Sequence, residues 1–140
     1  MDYSTYLVKA LEEYVPAYKP IKNLIDKKNE LAQLRGTGIH GGDNYYHRLA
    51  MCENAQNGRF DAAVSRAAGL VNEMKDIYCK TSGKCGQSTK PFLVNLKESM
   101  KDLRNNDEGI NLGLQNPEIS CKILLQDLDW ETNTWKKPRK

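Results

Sequence analysis

No apolar run in this 140-residue chain approaches the roughly 20 residues needed to cross a bilayer. The longest, such as Ile123-Leu124-Leu125, are a few residues long, so no transmembrane helix and no stable membrane insertion are expected. The opening Met1-Asp2-Tyr3-Ser4 lacks a basic segment followed by an apolar one, so no Sec signal peptide is expected. Export then requires a route that does not read such a signal. An excess of charge of one sign is also missing: 21 basic against 18 acidic residues leave +3, which speaks against a nucleic-acid partner. Much of that excess sits in Lys136-Lys137-Pro138-Arg139-Lys140, which reads as a frayed, solvated tail over 132–140 before it reads as a phosphate-binding patch. No C-x2-C or H-x3-H pair is present, so no metal site is assigned on cysteine or histidine spacing. No Walker loop, dinucleotide fingerprint or G-x-S-x-G elbow occurs, which leaves nucleotide binding and a common serine hydrolase unsupported and any cofactor unassigned. No internal repeat, low-complexity segment or clear linker appears, and the length suits one domain able to bury a core without disulfides.

What the chain does have is one stretch that looks built for chemistry. Gly36, Gly38, Gly41 and Gly42 precede Asp43-Asn44-Tyr45-Tyr46-His47-Arg48-Leu49-Ala50-Met51-Cys52-Glu53, a glycine-rich loop running into a helical pattern. Asp43 or Asn44 can cap that helix. Asp43 and His47 are four apart and can share a face, where a carboxylate would set the imidazole tautomer and raise its basicity. Tyr45, Tyr46, Asp43 and Asn44 form a candidate binding surface.

Helical periodicity runs through almost the whole chain and predicts an all-α, single-domain bundle of five or six helices. Tyr6, Leu7, Ala10, Leu11 and Tyr14 predict a first helix opening near Ser4, interrupted by Pro16 and Pro20. A second is predicted over Ile21 to Leu34 with Leu24, Ile25, Leu31 and Leu34 inward, the two making a helical arm over 4–35 ahead of a core over 43–128. A third covers Asn44 to Gln56 and stops at Asn57-Gly58. Phe60 to Tyr78 reads as the central helix, with Ala62, Ala63, Val64, Ala67, Ala68, Leu70, Val71, Met74 and Ile77 as its buried stripe and Gly69 permitting close approach to the His47 helix. Pro91 opens another helix to about Leu103, with Leu93, Leu96, Met100 and Leu103 buried, and Asn105-Asn106-Asp107-Glu108-Gly109 reads as a turn. Pro117 opens a last element over Glu118 to Leu128, in which a strand competes with a helix.

Four cysteines are more than a cytosolic domain of this size needs. Cys79 and Cys85 bracket a polar loop short enough for a loop-closing disulfide, leaving Cys52 and Cys121. Four cysteines allow three pairings, and free thiols with Cys52 in the core are the alternative. A cysteine nucleophile is disfavoured because Cys52 lies five residues from His47, about 140° round the helix, although His40 can reach back from the loop. His47, Glu73, Asp76 and Asp102 are the candidate catalytic residues. If the third and central helices pack antiparallel across Asn57-Gly58, His47 and the Glu73 region meet at one end of the bundle. A histidine with one or two carboxylates is the minimum for general acid and base work, or for two or three ligands to a metal. The bland readings are a solvated face for Glu73, Lys75 and Asp76 and a hydrogen-bonded structural role for His47.

The pattern Asn44-Tyr45-x-His47, Cys52, Ala55, Gly58, small residues, Glu73, Asp76, then Asp102-Leu103-x-Asn105, Gly109 and Cys121 resembles a domain at the C-terminal ends of Rhs-type and related polymorphic bacterial toxins, over residues 43 to 121. Family members more often carry a cysteine directly after the histidine, where this chain has Arg48. The resemblance implies a secreted antibacterial effector, cytoplasmic before export and acting in the periplasm of a target cell, with a cognate immunity protein as partner. It supplies no reaction. The residues point to a hydrolase acting on a cell-envelope component, with His47 as general base or ligand. The other class is a non-catalytic helical interaction protein: an immunity protein, adaptor or phage-encoded inhibitor using Tyr45, Tyr46 and the glycine loop.

Overall fold

The computed structural model describes residues 9, 10, 13, 15–34, 37 and 40–136. Of the expected helix over 4–14 only Lys9, Ala10 and Glu13 are among them, all helical, and the tail beyond Lys136 lies outside them. Among the described residues from Tyr18 on, five helices follow in order: α1 (Tyr18–Leu34), α2 (Gly42–Ala55), α3 (Arg59–Ser82), α4 (Phe92–Gln115) and the single turn α5 (Cys121–Leu124). The fold is an all-α bundle with a two-stranded hairpin, β1 (Leu128–Asp129) and β2 (Thr134–Trp135), paired antiparallel with Leu128 opposite Trp135. The described residues contain no helix long and apolar enough to cross a membrane.

Each helix begins and ends for a local reason. Pro20 does not interrupt α1 but sits in its first turn, where the missing N–H would have had no partner. Gly41, in the left-handed region at φ 79°, starts α2 in place of the expected side-chain cap from Asp43 or Asn44. Pro91 opens α4 as expected. That helix then continues to Gln115, straight through Asn105 to Gly109. The turn signature there reflects packing instead. Asn105 and Asn106 are buried and bonded to side chains of α2, and a side chain at Gly109 or Gly113 would strike the backbone of α2 at Arg48 or Cys52.

These two glycines let α2 and α4 run parallel in close contact, which makes α2 the central helix instead of α3. It touches α1, α3, α4 and α5 and is buried on most sides, through Asn44, Arg48, Leu49, Ala50, Met51, Cys52, Asn54 and Ala55. One apolar cluster joins Leu49, Cys52, Leu112, Cys121, Leu124 and Leu125, with Trp135 packed on it. A second joins Met51, Ala55, Ala62 and Ile110, with Leu24 beside it. The Cys52–Cys121 disulfide ties α2 to α5, and Cys79–Cys85 closes the loop after α3. Of the three pairings left open by the sequence, this is the one formed, and no cysteine is free.

Several faces differ from the amphipathic reading. On α3 the buried residues are Ala62, Ser65, Gly69, Glu73 and Cys79, whereas Leu70, Val71 and Met74 are exposed. On the first half of α4, Asn95 and Ser99 are buried, and Leu93 and Met100 are exposed. Ile25 of α1 is also exposed. Small and polar residues at four-residue spacing, and not the apolar stripe, bring α3 and α4 together here. At the C-terminal end no strand forms over 119–125. Residues 132–136, expected within a frayed tail, fold back instead: Asp129 Oδ1 accepts the N–H groups of Glu131 and Thr132, closing the hairpin. Asn133 Oδ1 then accepts from the buried Arg48 guanidinium, whose other donors meet Glu108 and the Asn44 carbonyl.

Candidate functional site

The parallel contact of α2 with α4 sets the register of the site. With Gly109 against Arg48, the turn before it places His47 of α2 beside Asn106, and Asp102 one turn further back on α4. Asn106 Oδ1 lies 2.9 Å from His47 Nδ1. A carbonyl oxygen can only accept, so with the amide in this orientation Nδ1 carries a proton, and in the neutral imidazole Nε2 then carries the lone pair. Nε2 lies 3.7 Å from Asp102 Oδ2. The carboxylate facing His47 is therefore Asp102 and not Asp43, and it stands farther off than the roughly 3 Å of a hydrogen bond.

Helix α3, antiparallel to α4, closes the third side. Gly69 packs under the Asn106 amide, where an added Cβ would come within 2.8 Å of it. One turn on, Glu73 is directed at Asp102 and His47. One ligating atom from each of His47, Glu73 and Asp102 lies within 4.8 Å of the other two. Glu73 is 2% exposed. Neither of its oxygens, nor Asp102 Oδ1, has a hydrogen-bond partner among the described residues. Burial first, then the adjacent Asp102 carboxylate and after it Asp76, pushes Glu73 up to about 8, against a smaller opposing pull from Lys80. Near neutrality Glu73 thus holds its proton and faces Asp102 as an acid.

His47 and Asp102 are partly exposed, because they line a cleft of about 520 Å³ between α1, α2, α3 and α4. One wall is apolar, with Ile21, Leu24, Ile25, Leu31 and Met51. The other is polar, with Asp43, His47, Asp76, Lys80, Lys101, Asp102 and Asn106. Asp43, in the first turn of α2, accepts a hydrogen bond from Lys101 at 2.9 Å. Burial alone would raise its carboxyl, but the Lys101 ammonium, helped by His47, holds it below the usual carboxylate range. Asp43 therefore anchors α2 to α4 at the rim of the cleft.

The four residues proposed as a binding surface divide. Asp43 and Tyr46 line the cleft. Asn44 is buried, donating to the Trp130 carbonyl and accepting from Asn105. Tyr45 stacks on Trp130 at 4.4 Å between ring centres. Of the four candidate catalytic residues, His47, Glu73 and Asp102 converge and Asp76 lies along the same cleft wall. Cys52 is bonded to Cys121 and has no thiolate to offer, and His40 is exposed.

Two residues of the site escaped the sequence reading: Asn106, which orients His47, and Lys101, which pairs with Asp43. The spacing of Asp102 and Asn106, four apart on one helix face, was a usable signal. It was masked because Asn105-Asn106 reads as a turn. No family model, curated protein or solved structure matches this chain.

Proposed function

We propose that the chain is an antibacterial effector domain that hydrolyses a cell-envelope component, with the His47–Glu73–Asp102 cluster as its reaction centre. The observation that carries this reading is the imidazole itself. His47 opens onto a cleft, its Nδ1 is engaged by Asn106, and its Nε2 lone pair faces the cavity edge beside a carboxylate. A structural histidine satisfied by backbone groups would present neither. In the reaction, the oxygen of a water activated at this edge bonds to the scissile carbon or phosphorus. The bond to the leaving group breaks, and the water's proton ends on that group. No oxidant or reductant is needed. One apolar wall against one charged wall suits an amphiphilic envelope molecule.

The resemblance of residues 43 to 121 to the toxin domains of Rhs-type proteins supports delivery by a dedicated machine and action in the periplasm of a target cell. Two disulfides fit an oxidising compartment. Expression directed to the periplasm is expected to kill or arrest cells, cytoplasmic expression to be tolerated, and His47→Ala to lose toxicity while retaining its melting temperature within a few degrees. In assays on isolated envelope fractions, His47→Ala is expected to lower turnover by a factor of about 100 or more, the scale of losing an acid or base. Equal toxicity of wild type and His47→Ala overturns the enzyme reading.

One observation favours a protein partner as well. Val71 and Met74 on α3 and Leu93 on α4 are each more than 60% exposed, and exposed apolar side chains of this kind suit a protein contact. In the effector reading that partner is the cognate immunity protein. Val71→Asp with Met74→Asp is expected to weaken neutralisation by the immunity protein without lowering hydrolysis, which a co-expression toxicity assay measures.

A further inference from the structure

One imidazole nitrogen and two carboxyl groups converge in this site, and the only proton among them is the one that Glu73 holds toward Asp102. Asn106 takes the Nδ1 proton of His47, so Nε2 points its lone pair toward Asp102 at 3.7 Å. Glu73, 2% exposed, aims a carboxyl with two unpartnered oxygens into the same space. The nearby ammonium groups are occupied elsewhere: Lys101 bonds Asp43 and only approaches Asp102 at 3.8 Å, and Lys80 lies 4.0 Å from Glu98. Such a group of acceptors is stabilised by a shared proton or by a cation.

The geometry points to a cation: His47, Glu73 and Asp102 bind a divalent transition-metal ion of the zinc or manganese type, through Nε2 and one oxygen of each carboxylate, with the remaining coordination position open to the cleft. The proposal rests on the cluster being the reaction centre and assigns to the ion the activation of water. Metal–ligand bonds of about 2.0–2.1 Å in a tetrahedral site place ligand atoms about 3.3 Å apart. The Nε2–Oδ2 distance of 3.7 Å is a few tenths of an ångström from that, and one ligand atom from each residue lies within 4.8 Å of the others, so inward movement of the side chains by about 1.5 Å at most completes the set. One imidazole and two carboxylates suit zinc or manganese. Calcium takes six to eight oxygen ligands at longer distances, and magnesium is bound through oxygens and keeps its waters. Each ligand comes from a different helix, which fixes the relative positions of α2, α3 and α4. Asn106 on Nδ1 is the outer partner that a metal-bound histidine characteristically has. Three protein ligands with an open fourth position is the arrangement of a catalytic and not a structural zinc site, and an ion there lowers the pKa of its bound water toward neutrality.

The direct test is calorimetric titration of chelator-treated protein with Zn²⁺, and separately with Mn²⁺, alongside the visible spectrum of the Co²⁺ complex. One ion per chain with an imidazole-containing, low-symmetry Co²⁺ spectrum is expected. Glu73→Gln and Asp102→Asn, which preserve shape, are expected to weaken binding by about 100-fold or more, and Asn106→Ala by about 10- to 100-fold as the loss of an outer partner. The site is overturned if the wild type binds neither ion at micromolar concentration, or if both shape-preserving variants bind as tightly as the wild type. Absence of binding with turnover still lost in His47→Ala removes the ion and leaves the hydrolase. Stoichiometric binding lost in Glu73→Gln, with toxicity unchanged in His47→Ala, keeps the site and removes the hydrolase.

Discussion

The two ends of the bundle are packed on opposite rules. Where α2 and the last turns of α4 meet α5 and the hairpin, the interior is apolar, built from Leu49, Leu112, Leu124 and Leu125 around the Cys52–Cys121 disulfide. Where α3 meets the first half of α4, the interior is Ser65, Gly69, Glu73, Asn95, Ser99 and Asn106, and the large apolar side chains of those segments face outward. The first end stabilises the fold by area removed from water. At the second, a carboxyl without a hydrogen-bond partner lies in the interior, an arrangement that opposes folding. Stability at one end thus permits an unfavourable arrangement at the other, which is the pattern expected of a functional site.

The sharpest way to break this comparison is to remove the covalent ties. Cys52 and Cys121 are 69 residues apart and Cys79 and Cys85 only 6. Constraint of the unfolded chain then makes the first bridge worth about 4 kcal/mol and the second about 2 kcal/mol. Denaturant unfolding of the Cys52→Ser, Cys121→Ser pair against the Cys79→Ser, Cys85→Ser pair measures both. Equal losses would mean that the ends of the bundle are not held so differently.

Truncation on either side of the divide is the next test. Ile110, fully buried between Met51, Ala55 and Ala62, is expected to lose about 3 kcal/mol on Ile110→Ala through lost transfer and a residual cavity. Met74, 61% exposed, is expected to change stability by less than about 0.5 kcal/mol on Met74→Ser. A loss for Met74→Ser comparable to that of Ile110→Ala would show that the outer apolar face is covered in solution.

A further test concerns the buried carboxyl, measured in chelator-treated protein. Glu73 moves from about 4.5 in the unfolded chain to about 8 in the folded one. Below 4.5 both states hold the proton and nothing is lost. Between these values the folded state binds more protons than the unfolded one, so stability falls as pH rises, and above about 8 the loss is complete. Glu73→Gln is expected to flatten this decline and to gain on the wild type in stability as pH rises toward 8. An unchanged pH profile in Glu73→Gln would place the titration elsewhere.

The sequence alone determined the helical class, because a 3.6-residue period, Pro91 at a helix start and Asn57-Gly58 at a helix end are local features that act within a few residues. It also placed His47, Glu73 and Asp102 on a short roster, and found Cys79 near Cys85, since short separation limits where a chain can go. Burial direction was another matter. Leu70, Val71 and Met74 form as good an apolar stripe as any, and only packing decided that Ser65, Gly69 and Glu73 face inward. Asn105, Asn106 and Gly109 carry the composition of a turn and lie in the middle of a helix, because a neighbouring backbone and two side chains of α2 supply what a turn would otherwise offer them. The partners Asn106 for His47 and Lys101 for Asp43, and the choice of Cys121 for Cys52, join residues 58 to 69 positions apart. Contacts at such separation depend on how helices cross, which no local pattern encodes. Tertiary structure therefore decided the site, through the close α2–α4 approach that Gly109 and Gly113 allow.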